Sequence, residues 1–474
     1  MTTPEPETPP RQRSAARRFL NRLEVDKAVF FAIAARAWQV LAGPITLLLI
    51  VQFFTPEMQG IFYAFSFLLA FSTLSELGLN TIILFAASHE WHALRLAGDG
   101  HIHGDPIALA RLADLSRLMN RWYAILAVTF AAVMIPLGLW YIGRRDVPSI
   151  DWRGAWVAAS MITAVNLALS PRLAILEGCH QIAVVNALRL GQALAGNLVV
   201  WSVLAAGGGL WTAVASAAVK LLFEGWLVFG MYGRFFQSLR LSTGTATIPW
   251  KETIWPLQWR IALNSLLNYV STWIFTFVAF EQQGLVAAGQ TGMTWTVLTA
   301  LQSATLAWVQ TRGPLFGSLV ARRDFQELDR VFLRVFKIST LMMALGSVIV
   351  IGGVFTMEAI HRDLFQVRAA LPHIAVTLAD KIFPRILPTL PTALFCLALL
   401  GLHTVLCFGS YVRAHQRDPF LPFNLVSSTL TSVLIWFGTL KYGPTGAAAA
   451  LLAGMAVANV PFNFIIWRRT RNEH

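Results

Sequence analysis

Charge is what this sequence lacks most. Only 13% of its 474 residues are Asp, Glu, Lys or Arg, while 56% are hydrophobic; soluble domains carry roughly 25% charged residues. So thin a polar complement cannot clothe a water-exposed surface, which excludes an ordinary soluble domain. Cysteine is scarce as well. Cys179, Cys396 and Cys407 fall in or beside apolar blocks without metal-type spacing, which argues against a disulfide framework or a zinc site. Strict apolar/polar alternation is missing, and with it the pattern of an outer-membrane barrel. No Gly-rich loop ends in Lys-Ser/Thr, so ATP hydrolysis by this chain is not expected. No small-residue cleavage site precedes the first apolar block, so the N-terminus does not read as a signal peptide.

What is present is a series of apolar blocks, each about 20 residues or longer, the length an α-helix needs to cross a bilayer core. They read as spans at 29–53, 61–87, 122–142, 155–176, 182–204 and 210–231, then, after a polar break at 232–256, at 257–280, 284–309, 335–355, 392–411, 421–440 and 445–467. The formal charge of +13 would suggest nucleic acid in a soluble protein. Here the basic residues cluster at the ends of apolar blocks, so they report orientation and no nucleic-acid partner is expected. Arg11 to Lys27, Arg95 to Arg121, Arg234 to Lys251, Arg312 to Lys337, Arg413 with Arg417, and Arg468 to Arg471 all fall on one side, whereas the loops at 55–60, 205–209 and 281–283 carry none. The positive-inside rule puts both termini in the cytoplasm. The long outer loop at 357–391 is mixed in charge and reads as an amphipathic surface helix. Tryptophans near span ends, such as Trp122, Trp140 and Trp467, suit an interfacial belt.

The two halves resemble each other. Glu57-Met-Gln-Gly60 matches Glu281-Gln-Gln-Gly284, and the same offset carries Arg36 onto Arg260. Trp201 matches Trp436, and Gly209 with Ala213 matches Gly443 with Ala447, after a drift of a few residues. Six spans plus six with both termini on one side make a parallel repeat about an axis along the membrane normal. The expected fold is therefore an all-α polytopic membrane protein of about twelve transmembrane helices, in two six-helix lobes with pseudo-two-fold symmetry around a central cavity. Its expected parts are a basic, partly disordered tail (1–27), an N-terminal lobe (28–232), an inter-lobe linker (233–256) and a C-terminal lobe (257–474). Rocking of two such lobes gives alternating access, which points to a transporter that acts as a monomer and not to an enzyme.

Charges at membrane depth are costly and mark candidate sites. Arg36 and Arg260, matched in the two halves, suit a pyrophosphate because guanidinium binds phosphate bidentately; Arg172 and Lys220 extend the candidate cationic cavity. Lys220 and Glu224 share one helix face and can neutralise each other. Glu76 lacks a basic neighbour within one turn. Low dielectric disfavours its charged form, so Glu76, with Glu224 second, is the candidate for coupling to H+ or Na+; no other cofactor is expected. Asn264, Asn268 and Gln302 are candidate polar cavity residues, and Gly43-Pro44 a candidate hinge, since proline removes a backbone hydrogen bond. His89, His92, His101 and His103 are spaced too loosely for a metal site.

The run Phe53-Phe-Thr-Pro-Glu-Met-Gln-Gly60, the span ending Ser75-Glu-Leu-Gly-Leu-Asn80, Ile175-Leu-Glu-Gly178 and Pro314-Leu-Phe-Gly-Ser-Leu-Val-Ala321 resemble polysaccharide flippases (Wzx-type) of the multidrug/oligosaccharidyl-lipid/polysaccharide exporter superfamily. The resemblance is diffuse and covers nearly the whole chain. It implies a bacterial inner-membrane protein that moves undecaprenyl-pyrophosphate-linked oligosaccharide repeat units for O-antigen or exopolysaccharide synthesis. Its implied partners are that lipid-linked oligosaccharide, membrane lipids, and polysaccharide polymerase and assembly proteins. Two rival readings stand beside it. A drug or cation antiporter of the multidrug and toxic-compound extrusion type would favour an acidic, aromatic cavity. A membrane sugar polymerase or glycosyltransferase would need catalytic groups in the outer loop, where His361, Arg362, Asp363, His373 and Asp380 are the candidates.

Overall fold

A computed structural model of the chain describes residues 27–144, 150–242, 255–415 and 419–473. Within them the chain crosses the apolar layer twelve times, six in each half. The N-terminal lobe opens with α1 (Lys27–Phe53). The second crossing comes in three pieces, α2 (Pro56–Leu69), α3 (Phe71–Ser75) and α4 (Leu79–Trp91). A short antiparallel hairpin, β1 (Leu94–Leu96) with β2 (Ile102–Gly104), leads into α5 (Pro106–Gly143). Then follow α6 (Arg153–Leu176), α7 (Ile182–Ala205) and α8 (Trp211–Gly225), the last extended by a π-turn at Trp226–Met231. After α9 (Gly233–Leu241), α10 (Trp255–Gln310) makes two crossings, reversing at Gly284 with φ of 88°. The C-terminal lobe continues with α11 (Gly313–Ala321), α12 (Phe325–His361), the short α13 (His373–Ile382) and α14 (Thr389–Ala414). It ends with α15 (Leu421–Gly454), which reverses at Gly443, a π-turn at Met455–Asn459, and α16 (Val460–Asn472). The last crossing of each lobe thus carries a π-turn, a further trace of the repeat.

Local chemistry sets several of these starts. Thr55 accepts from the Met58 amide and Pro56 opens the first turn of α2, while Asp105 accepts from Ile107 and Ala108 ahead of α5. One apolar cluster runs from Ile61 through Trp156 to Leu239 and takes in Phe280 and Ala288 of the second lobe, while two others, joining Trp295 to Met455 and Val309 to Trp467, lie within the second lobe. Large apolar side chains also cover the outside, among them Val128, Leu222, Ile349, Phe437 and Val457. A surface so apolar suits contact with lipid chains and not with water.

Two features differ from the sequence expectation. The span read as 61–87 is not one helix, because Leu77 and Gly78 take φ of 48° and 74° and end α3 in the middle of the crossing. As read, the fourth span is one helix: α6 runs through Pro171 to Leu176, and the chain reverses at Cys179 and His180. The inter-lobe linker, read as a polar break, holds the helix α9, against which the hairpin packs through His101 to Ser238 (3.0 Å) and Arg234 to the Asp99 carbonyl (3.0 Å). His103 lies 3.8 Å from Asp99, so these two histidines face different partners.

The lobes meet at the end of the bundle that carries the 53–56 and 281–284 turns. There Gly60 packs directly on the Leu285 carbonyl, and the Gln59 amide, buried to 1% exposure, donates to the carbonyls of Gly289 (3.0 Å) and Arg385 (2.9 Å). The segment 362–388 straps this end. Arg385 donates to the Phe54 carbonyl (2.5 Å) and Lys381 to Gln52 (3.1 Å), so residues of the second lobe hold the first two helices of the first. One face of α13 matches the amphipathic expectation, since Ile374 and Leu378 point outward. Its other side carries Asp380, which accepts from His361 (2.8 Å) and from both terminal nitrogens of Arg368 (3.1 and 2.6 Å). At the opposite end, where α1 begins, the Arg36 guanidinium donates to Gln310 (2.6 Å) between the two lobes.

Candidate functional site

The discontinuity in the second crossing builds the site. Unpaired backbone inside a membrane is tolerated only where protein or a water-filled cavity receives it. The break after Ser75 opens onto a cavity of about 870 Å³ inside the N-terminal lobe, lined from α1, the second crossing, α6, α7 and α8. Leu77, a non-glycine residue with its backbone in the left-handed region, stores strain of about 1–3 kcal/mol, which the surrounding packing must offset. The broken turn presents Glu76 to the cavity. Its two carboxylate oxygens accept from Ser170 (2.8 Å) and Asn80 (2.7 Å), and Asn80 in turn accepts from the buried Tyr123 hydroxyl (3.0 Å). These groups come from three crossings and fix the carboxylate. Arg36 takes no part in this network and donates instead to Gln310.

Two further acids line the same cavity. Glu224 lies 3.9 Å from Lys220, the i to i+4 pair that one helix face requires, and Glu177 is ion-paired with Arg189. A second opening of about 470 Å³ adjoins the first and shares Arg189, Gln192, Asn197, Ser216 and Lys220 with it; Arg36, Gln39 and Asn186 complete its wall. The cavity therefore has an acidic interior around Glu76 and Glu224 and a mouth where Arg36, Arg189 and Lys220 converge among amides. Guanidinium and ammonium donors grouped in this way suit an oxyanion, although Arg189 and Lys220 are here already paired with Glu177 and Glu224.

The site residues expected from the sequence divide. Arg36, Lys220, Glu76 and Glu224 come together around the joined cavities. Arg172 does not join them: it sits over the Phe229 ring (5.8 Å), on a residue turned to the outside, and donates to the Ala168 carbonyl one turn back. Gln302 is buried in the second lobe and lines neither opening. Arg260, Asn264 and Asn268 lie outside the residues whose side chains the structure describes. Pro44 and Gly43 stay within the single helix α1, so the departure from helical geometry near the site belongs to Leu77 and Gly78. The outer-loop residues offered for catalysis are engaged structurally, with Arg362 3.1 Å from Glu358 and Asp380 clamped by Arg368 and His361. Arg189 and Glu177 were not singled out. Arg189 stands about two turns inside a span, as Arg36 does, and that depth was the available signal.

Neither a family model nor a curated protein sequence matches the chain. Solved structures do. The chain is similar to an inward-facing conformation of a multidrug resistance MATE family transporter of the MOP superfamily, with a TM-score of 0.62 at 12% identity over 93% of this chain and 98% of that one. Against an outward-facing conformation of such a transporter the TM-score is 0.55, also at 12% identity, over 94% and 96%. A MOP superfamily transporter from Pyrococcus furiosus, described as having a binding pocket of reversed polarity that suggests a different function, matches with a TM-score of 0.52 at 12% identity over 94% and 95%. At these identities the likeness establishes the fold: a two-lobed, multi-pass membrane architecture.

Proposed function

We propose that this chain is an alternating-access carrier whose cargo is an anionic, lipid-linked oligosaccharide, taken from the cytoplasmic leaflet of a bacterial inner membrane with both termini in the cytoplasm. The observation that carries this reading is the cationic mouth formed by Arg36, Arg189 and Lys220. A pyrophosphate seated there would meet charge-assisted donors, and the sugars would extend into the hydrated interior. The polyprenyl chain would stay in lipid beside α1, where the Arg36 to Gln310 hydrogen bond is one link between the lobes at this end. Arg260, the repeat partner of Arg36, would complete the anion site from the second lobe. Closure at the Gln59 and Gly289 end, with the cavity mouth at the other, suits loading from the side that holds the termini. Glu76 is the coupling group in this scheme, because the break in the second crossing fixes it in the cavity wall without a cationic partner among its hydrogen bonds.

A second reading, a drug or cation antiporter, is favoured by the acids Glu76, Glu177 and Glu224 in the same cavity and by the transporters whose fold this chain shares. Proteoliposomes separate the two. A fluorescent undecaprenyl-pyrophosphate oligosaccharide is placed in one leaflet and its transfer read with an impermeant quencher, beside uptake of a lipophilic cation. Transfer of the lipid that falls in Arg36→Gln and Arg189→Gln supports the flippase. Cation transport that survives both substitutions and is lost in Glu76→Gln, with no lipid transfer, overturns it in favour of the antiporter.

A further inference from the structure

The second lobe holds a pocket of its own, of about 270 Å³, at the small end of the roughly 300–1,000 Å³ typical of ligand sites. It lies between α10, α14, α15 and the last crossing, and its polar lining differs in kind from that of the first lobe. Asn424, Ser428, Thr431, Asn459 and Asn463 line it, with Trp295 on the wall and Arg413 the only charged side chain in the lining. It has no carboxylate, so a cation finds no counter-charge there.

The backbone is shaped for this lining. The π-turn Met455–Asn459 lets one extra residue into the last crossing, and both its first and last residues face the pocket; such bulges inside helices often accompany binding sites. Asn459 donates through its amide nitrogen to the Gly454 carbonyl (3.2 Å), and Asn463 to the Asn459 carbonyl (2.8 Å). With the nitrogens held by the helix itself, the two amide oxygens are the acceptors available to a ligand. Thr431, buried to 1% exposure, has no hydrogen-bond partner for its hydroxyl among the described residues. Buried polar groups are normally satisfied, so an unsatisfied hydroxyl in the wall of a polar pocket points to a missing polar partner. Trp295 is packed edge-on against Phe395, with ring centroids 5.7 Å apart, and is thereby held in place as an apolar wall.

We infer that this pocket binds a single uncharged sugar ring. Two amide acceptors, two hydroxyls and an indole suit a small polyhydroxylated ring, which offers hydroxyl donors around its rim and C–H groups on its faces. The volume admits one ring and not an oligosaccharide. The source of the ring rests on the proposed flippase function, in which it would be one residue of the lipid-linked glycan; the chemistry of the pocket does not depend on that.

The test uses the whole chain in nanodiscs and saturation-transfer NMR with methyl glycosides of neutral hexoses and N-acetylhexosamines as probes. Wild type is compared with Asn463→Leu, Ser428→Ala and, as a control on the outer face of the other lobe, Val128→Ala. Loss of one hydrogen bond to a bound ring weakens binding by roughly three- to tenfold. The expected result is saturation transfer in wild type and Val128→Ala that weakens by at least that factor in Ser428→Ala and Asn463→Leu. Ser428→Ala adds no bulk and keeps the test valid if Asn463→Leu does not fold. No transfer from any neutral glycoside, or transfer that both pocket variants retain in full, overturns the proposal. If glycosides bind here while the lipid-linked substrate is not transferred in proteoliposomes, the pocket stands and the flippase reading falls.

Discussion

Gly60→Ala is the substitution that most directly tests how the lobes are joined. A Cβ on residue 60 would lie 2.1 Å from the Leu285 carbonyl oxygen and 2.7 Å from its carbon, both backbone atoms of the other lobe. Contacts below 3.0 Å are essentially never made by real Cβ atoms, so the two helices must separate by close to 1 Å. Overpacking of this kind costs about 1–3 kcal/mol. The separation also stretches the Gln59 bonds to Gly289 and Arg385, which stand at 3.0 and 2.9 Å. At about 1.4 kcal/mol per tenfold, the equilibrium should move roughly 5- to 150-fold away from the state closed at this end. The reporter is a pair of cysteines at positions 52 and 381, whose native side chains meet at 3.1 Å, joined by a short bifunctional thiol reagent. The three native cysteines are buried and stay out of the reaction. Cross-linking yield should fall sharply in Gly60→Ala, while thermal stability in detergent changes by only a few degrees. A folded Gly60→Ala protein that cross-links at the wild-type rate would refute the reasoning, because the contact would then not limit closure.

Other outcomes follow from the same geometry. Arg189→Gln removes one charged donor from the proposed anion site; losing a charge-assisted bond to the ligand costs about 1.5–3 kcal/mol, so lipid transfer should drop by roughly tenfold or more, read by the quencher assay. Glu76→Gln keeps the shape and the Ser170 contact but not the charge, and should leave substrate binding measurable while abolishing the response of transport to an imposed H+ or Na+ gradient. Asp380 titrates below the usual carboxylate range, first because Arg368 donates to it and then because His361 does. A depressed carboxyl contributes above its unfolded value, near 3.9, and the contribution is lost as pH falls below that. The strap should therefore loosen under acid below about pH 4, read as a fall in thermal stability in detergent, and Asp380→Asn should already show that lower stability at neutral pH.

Much of the architecture was legible because it rests on lengths. An apolar block long enough to cross hydrocarbon declares itself whatever its neighbours do, and twelve blocks in two similar halves specify two six-helix lobes. The reversals at Gly284 and Gly443 fall where the repeat placed its matched turns. What stayed hidden depends on dihedrals and on partners far away in sequence. Hydropathy passes through Leu77 without a signal, since leucine suits a helix as well as a break; only Gly78 behind it hinted at a left-handed helix end. The cationic mouth was half visible. Arg36 and Lys220 stood out by depth, but Arg189 joins them only once α7 lies against α1. Arg172 shared their depth and yet points to Phe229, because one residue of rotation on a helix turns a side chain by about 100° and depth alone does not encode facing.

The interrupted second crossing has a mechanical meaning. Its first piece is bonded to the opposite lobe, at Gly60 against Leu285, while its last piece is held within its own lobe, where Gly178 leaves no room for a side chain against the Leu84 carbonyl. A relative rotation of the lobes that keeps the Gly60 contact is therefore taken up between these two anchorages, where the two left-handed residues at 77 and 78 offer a compliant joint. Glu76 is the residue next to the joint. A cation or proton arriving at its carboxylate would load the pivot itself, so that occupancy and rocking become two descriptions of one torsional displacement and no signal need travel across the protein.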